Sequence, residues 1–226
     1  MTSGRVTPGR QLPLDLGHRP ALGGDDFLVA PSNADAVAWI DRWPDWRGTG
    51  LVLYGPGACG KTHLAHVWQA RTRAPHVLAG DLGDAPRAML GDARACVVEG
   101  ASGADEAGLF HLYNVLVERG GHLLLTDREP PARWPIQLAD LRSRLLALPA
   151  VQMGPPDDRL FAAVLVKLFS DRQLEVGEEV VAYLLNRIER SFAVARDFVA
   201  ELDAAALARR RRITVPFVRE ILGDEN

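Results

Sequence analysis

Residues 55–62 read GPGACGKT and follow the short apolar run LVLY (51–54). A brief apolar segment, a glycine-rich turn and then a stretch with helical periodicity leave few folds open. The spacing is G-x-x-x-x-G-K-[ST]. Its glycines let backbone N–H groups turn inward around phosphate oxygens, where a Cβ would clash. The helix start that follows adds partial positive charge. Lys61 is placed to reach the β- and γ-phosphates, and the Thr62 hydroxyl to ligate Mg²⁺. Gly55, Pro56, Gly57, Ala58, Cys59, Gly60, Lys61, Thr62 and His63 are therefore the candidate nucleotide-binding residues. The bland alternative is a tight turn in a fold that has lost its ligand. Cys59 reads as a small filler at a free position, or as a reactive thiol beside a helix start. Lys61 is one of two lysines against 24 arginines, an excess that codon bias in a GC-rich genome accounts for.

The strand and helix beside this loop belong to a longer alternation. HVLA (76–79), ACVVE (95–99), HLLLT (122–126) and AVQM (150–153) read as further strands. A helix at 31–43, capped by Ser32 or Asn33, precedes the first strand. Helices at 61–71, 109–117 and 138–147 lie between or beside the others. Strands alternating with helices predict a five-stranded parallel sheet covered on both faces, an α/β fold. The pattern changes at Gly154-Pro155-Pro156. Beyond it only helices are predicted, at 157–172, 177–190 and 193–210, with a last one from Val215 carrying Pro216 in its first turn and Thr214 as its cap. Three regions follow: an extended arm (1–24), an α/β nucleotide-binding domain (25–153) and a small all-helical domain (154–226).

Bulk properties narrow the function classes. A formal net charge of −3 excludes a polycation that finds nucleic acid by overall electrostatics. Two cysteines, Cys59 and Cys96, make no disulfide framework and suit a reducing cytoplasm. No signal peptide and no bilayer-spanning run is read, so no membrane partner is expected. His63 and His66 share a helix face but lack a third ligand, so they are not read as a metal site.

A phosphate loop needs an acidic partner on a later strand, one residue on the metal side and a second to prepare attacking water. ACVVEGAS offers Glu99 in the first place and Gly100 in the second. Glutamate is a methylene longer than aspartate, and glycine orients no water. Weak intrinsic hydrolysis is the expectation. Asp127, after the fourth strand, is a conceivable partial substitute.

Six segments together resemble the DnaA/Hda group of the AAA+ family: QLPLDL (11–16), GPGACGKT, LLLTDREPPARW, DLRSRL, the region around Arg196, and ITVPFVREIL near the end. The resemblance runs nearly end to end. It implies an AAA+ module followed by a helical lid. It also implies that Gln11, Leu12, Leu14 and Leu16 form a peptide that docks on the replicative sliding clamp. Alternate leucines suit apolar pockets, Gln11 supplies directional hydrogen bonds, and Pro13 trims the entropy lost on ordering. The alternative is a strand packed on the protein's own core.

By the same resemblance Arg144 is an arginine finger acting in trans, a task suited to a guanidinium that stays charged and bridges phosphate oxygens. Its structural alternative is a pair with Asp140; Arg142 is the weaker finger candidate. Arg196 matches the sensor-2 arginine, with pairing to Glu189 or Asp197 as the alternative. Thr126 and Asp127 match the sensor-1 region. Phe27, Leu28 and Val29 match the segment near the adenine base, or are simply core. Thr62 and Glu99 are the metal candidates. DnaA carries a helix-turn-helix DNA-binding domain, which is not expected after ILGDEN. Arg209–Arg212 read as a solvated helix end, or as a contact for DNA or an acidic partner.

The function implied is a clamp-tethered negative regulator of replication initiation that binds ADP or ATP and stimulates hydrolysis of initiator-bound ATP in trans. Its partners would be the sliding clamp and DnaA, with DNA reached only through the clamp. In this group the ADP-bound form is implied to be the active one, so a lost catalytic acid is tolerable. Two rivals stay open. One is a stand-alone P-loop ATPase that loads or remodels a replication factor, as a homo-oligomer closed by Arg144. The other is a clamp-binding adaptor with a vestigial nucleotide site.

Overall fold

The computed structural model describes residues 27–83 and 86–223. QLPLDL lies outside the described residues. Five strands form one sheet: β1 (Gly50–Tyr54), β2 (His76–Leu78), β3 (Ala95–Glu99), β4 (His122–Asp127) and β5 (Ala150–Gln152). Their order is β2-β3-β4-β1-β5, and every pairing is parallel.

Side chains on a strand alternate between faces, and the packing follows that period. Leu51, Leu53, Ala95, Val97 and Leu124 join one core with α1 (Ala34–Asp41) and α2 (Lys61–Thr72). Val52, Cys96, Val98, Leu123 and Leu125 join another. That second core takes in α3 (Pro86–Leu90), α4 (Glu106–Glu118) and α5 (Ala139–Leu146). Burial on both faces explains why these strands read as unbroken apolar runs. A fully buried leucine here contributes about 1.5–3 kcal/mol relative to exposure.

After β5 come α6 (Asp158–Asp171), α7 (Glu178–Leu185), α8 (Phe192–Arg209) and α9 (Val215–Leu222). They share a third core built around Phe161, Leu165, Phe169, Leu184, Leu202 and Phe217. A small fourth cluster, with Leu28, Ala30, Leu160 and Ala163, ties the segment before α1 to α6.

Several local expectations differ. Asn33 stands at the start of α1 but does not cap it. Its side chain turns back, Nδ2 donating to the Leu28 carbonyl at 3.0 Å and Oδ1 accepting from the Ala30 amide at 2.9 Å. Thr214 likewise makes no side-chain cap. The helices that are capped use Asp105, Asp157 and Ser191. The helix expected over 177–190 ends at Leu185, because the Arg187 and Ile188 amides both fold back to the Leu184 carbonyl. α3 is too short for its periodicity to register in the sequence.

Candidate nucleotide site

β1 delivers the chain to the phosphate loop at the C-terminal edge of the sheet. Gly55 leaves the strand with φ +151°, and a Cβ there would meet the Met153 carbonyl oxygen at 2.1 Å. Ala58 takes φ +54°, and Gly60, at the start of α2, φ +101°. Lys61 Nζ donates to the Gly55 and Pro56 carbonyls at 2.9 and 2.7 Å and lies 3.6 Å from Cys59 Sγ. Cys59 is buried and so serves as packing in the loop.

Glu99 stands against the loop. Thr62 Oγ1 donates to Glu99 Oε1, joining the first turn of α2 to the end of β3. The second oxygen, Oε2, lies 3.0 Å from His76 Nε2. The residue after it, Gly100, adopts φ +72°, and its amide donates to the Thr126 carbonyl at 2.9 Å. No carboxylate stands there. Asp127 does not substitute for one: its oxygens accept from the backbone amides of Ser102 (2.7 Å), Arg128 (2.6 Å) and Glu129 (3.4 Å). It fixes the loop after β4. Thr126 is buried beside it.

A cleft of about 590 Å³ opens from the loop. Ala58, Gly60, Lys61, Thr62 and His63 line it on the sheet side. Phe27 and Leu28 line it too, whereas Val29 does not. Phe27 meets the His63 ring edge-on at 5.1 Å. Across the cleft stands α6, presenting Leu160, Val164 and Leu168 at one-turn intervals. Arg196 reaches the cleft from the first turns of α8, paired with Asp197 at 3.0 Å. The two sides touch directly: the Phe192 amide donates to the Ala58 carbonyl at 3.4 Å, and its ring covers Gly60. The sequence reading missed Asn33, His66, Phe192 and the α6 face. The spacing of Leu160, Val164 and Leu168 carried a signal, but an apolar helix stripe reads first as core.

Arg144 is not among the residues lining this cleft. Nor does it pair with Asp140. Its guanidinium donates to Asn114 Oδ1 at 2.5 Å and lies over the rings of Phe110 and Tyr113, 4.8 and 5.4 Å from their centroids. All three partners belong to α4. The same helix holds the start of α5, Glu106 accepting from the Gln137 and Leu138 amides at 2.8 and 2.6 Å. Arg142 is exposed.

Elsewhere, burial pushes the Cys96 thiol up to about 12, which makes it inert. Among the described residues no group of three or more His, Cys, Asp or Glu side chains is suited to hold a metal ion. Arg209 and Arg211 both pair with Glu220, and Arg212 lies 3.9 Å from Glu175, so most of the arginine run is occupied within the lid. No helix among the described residues is long and apolar enough to cross a membrane.

Comparison with known proteins places this architecture. Residues 158–222 match the family model described as the lid domain of Hda. Domain III of the replication initiation protein DnaA from Thermotoga maritima superposes with a TM-score of 0.77 at 16% identity, over 92% of this chain and 98% of that one. The helical segment of this chain is thus similar to the Hda lid, and its fold as a whole to that of DnaA domain III. AMPPCP-bound DnaA from Aquifex aeolicus gives a TM-score of 0.66 at 18% identity, covering 86% of this chain and 70% of that one. A point variant of RuvB from Thermotoga maritima gives 0.69 at 14%, over 89% and 71%. At such identities the likeness concerns the fold alone, which DnaA and RuvB share. The likeness to Hda is carried by the helical segment 158–222.

Proposed function

We propose that this Hda-like chain regulates replication initiation by completing the active site of initiator-bound ATP. Docked on the sliding clamp through Gln11, Leu12, Leu14 and Leu16, it would be concentrated near the initiator, so that weak direct affinity suffices. Arg144 then supplies positive charge to the transferring phosphate. A finger given in trans is worth roughly 10³–10⁵ in rate in GTPase systems.

The observation that carries this reading is the seating of Arg144. Its guanidinium is held by Asn114, Phe110 and Tyr113 on α4 and does not line the chain's own cleft. An arginine braced by two rings and an amide, away from its own nucleotide loop, suits action on another protein's nucleotide.

The chain's own cleft suits ADP or ATP. Lys61 and the loop amides would meet the phosphates, Arg196 would approach from the lid, and Phe27, Leu28 and the α6 leucines would face the base. A Mg²⁺ ion fits Thr62 and Glu99, two hard oxygen donors already in contact, and would neutralise phosphate charge. Gly100 and the committed carboxylate of Asp127 argue against a stand-alone ATPase.

The test is hydrolysis of ATP pre-bound to the cognate DnaA, with clamp loaded on DNA, in the presence of this protein or its Arg144→Ala form. Acceleration by the wild type and none by the variant is the expected result. No acceleration by either, with clamp binding intact, would leave the adaptor reading.

A further inference from the structure

Glu99 is held at both oxygens, and the second hold comes from a residue that no phosphate-loop pattern includes. The geometry follows from the sheet. His76 is paired with Val97 across the β2–β3 ladder, and Glu99 stands two residues further along β3. A shift of two keeps the face, and Val97 packs on the α2 side. His76 and Glu99 therefore meet on the face that α2 covers. Thr62 and His66, one helical turn apart on α2, meet them there. Thr62 donates to Oε1, and His76 Nε2 lies 3.0 Å from Oε2. The His66 ring backs the His76 ring, centroids 4.9 Å apart. His66 in turn lines the cleft.

This arrangement answers a difficulty in the sequence. Glutamate carries one more rotatable bond than aspartate, so a carboxylate at position 99 is free to swing away from Thr62. The residue after it offers no side chain to hold it, since Gly100 has none. His76 removes that freedom by fixing the oxygen that does not face Thr62.

We infer that His76 is a positioning residue: its Nε2 anchors Glu99 Oε2, keeping Oε1 beside Thr62 where the pair can support a magnesium–nucleotide complex. The inference rests on the reading of Thr62 and Glu99 as the metal-side pair. Groups that hydrogen-bond a metal-ligating side chain and fix its orientation typically change metal affinity by 10–100-fold when removed.

The test titrates ADP into the full chain by calorimetry, once in EDTA and then over a series of MgCl₂ concentrations. In the wild type ADP affinity rises with Mg²⁺, with a measurable midpoint. His76→Asn is too short to reach Oε2 with its amide. It is expected to move that midpoint up by about 10–100-fold while leaving ADP affinity in EDTA within about twofold. His76→Gln, whose amide nitrogen reaches near the position of Nε2, is expected to restore the midpoint. A purely structural role would lower affinity in EDTA as well, and would not distinguish the two amides. The EDTA titration also reports that each variant is folded.

Glu99→Gln separates the two levels of the argument. If it abolishes the Mg²⁺ dependence while His76→Asn behaves as wild type, His76 has no positioning role and the inference falls alone. If the wild type shows no Mg²⁺ dependence, or Glu99→Gln leaves it unchanged, the metal-side reading fails and takes the inference with it.

Discussion

Gly55 and Gly100 are both glycines at positive φ, yet they are required for different reasons. At Gly55 a Cβ would sit 2.1 Å from the Met153 carbonyl, and that carbonyl is backbone held beside β1, so it has nowhere to go. Its φ of +151° also lies in a region open essentially to glycine. Gly55→Ala is expected to displace the loop, abolish measurable ADP binding and lower the melting temperature. At Gly100 a Cβ would meet nothing within 4 Å, and the only obstacle is φ +72°. Gly100→Ala is expected to cost about 1–2 kcal/mol and leave ADP affinity unchanged. Calorimetric titration beside thermal unfolding of both variants checks the contrast. Residues in the phosphate loop were legible from sequence because their spacing is local: Lys61, Thr62 and the glycines follow one another. Glu99 was legible as the acid ending the third strand. His76 was not, because its contact depends on the register of β2 against β3, which local patterning does not encode. Phe27 and Leu28 were identified only through the family resemblance, and the structure separates them from Val29.

Among elements, α4 acts as a jig for α5. Its first turn holds the start of α5 through Glu106, and its later turns hold Arg144 through Phe110, Tyr113 and Asn114. Leu138, just before α5, offers no side-chain cap, and the Glu106 carboxylate instead takes its amide and that of Gln137, pinning the chain as it enters the helix. Glu106→Ala is expected to destabilise the fold by about 1 kcal/mol, since these are exposed bonds to a charged acceptor. On the proposed role of Arg144, it is also expected to reduce any stimulation of DnaA-bound ATP hydrolysis several-fold while leaving ADP affinity unchanged, because it acts on α5 and not on the cleft. Stimulation equal to wild type would show that α5 keeps its place without this clamp. Periodicity placed α4 and α5 correctly. It did not show that they lock together, since Glu106 and Leu138 lie far apart in sequence. Element ends were the least legible feature. α7 stops at Leu185 although apolar residues continue to Ile188, because the chain there closes a turn.

The whole molecule places its chemistry at one end of the sheet and a distinct aromatic cluster at the other. The C-terminal ends of β1 and β3 carry the phosphate loop and Glu99. At the opposite end His122 opens β4, and its ring meets Trp43 and Trp46 edge-on at 6.2 and 5.6 Å. Trp46 stacks on Trp68 at 5.3 Å. Indole N–H groups only donate, so the cluster offers a protonated imidazole no acceptor. Burial accordingly holds the His122 pKa below its usual value. The unfolded chain, with an ordinary value of about 6.5, then binds more protons than the folded one as pH falls below that value. Stability therefore rises with pH through this window and is fully present above it. On acidification it is lost progressively, from about pH 6.5 down towards the folded-state pKa. Melting temperature is expected to fall between pH 7.5 and 5.5. His122→Phe keeps an aromatic ring against the tryptophans and cannot take up a proton, so it should flatten that dependence. Tryptophan fluorescence reads the transition, because three of the indoles lie in the cluster itself. If the slope persists in His122→Phe, the acid sensitivity originates in other groups. Because His122 sits at the far end of β4 from the cleft, the same variant should bind ADP as the wild type does. That combination would separate the molecule's acid stability from its nucleotide site.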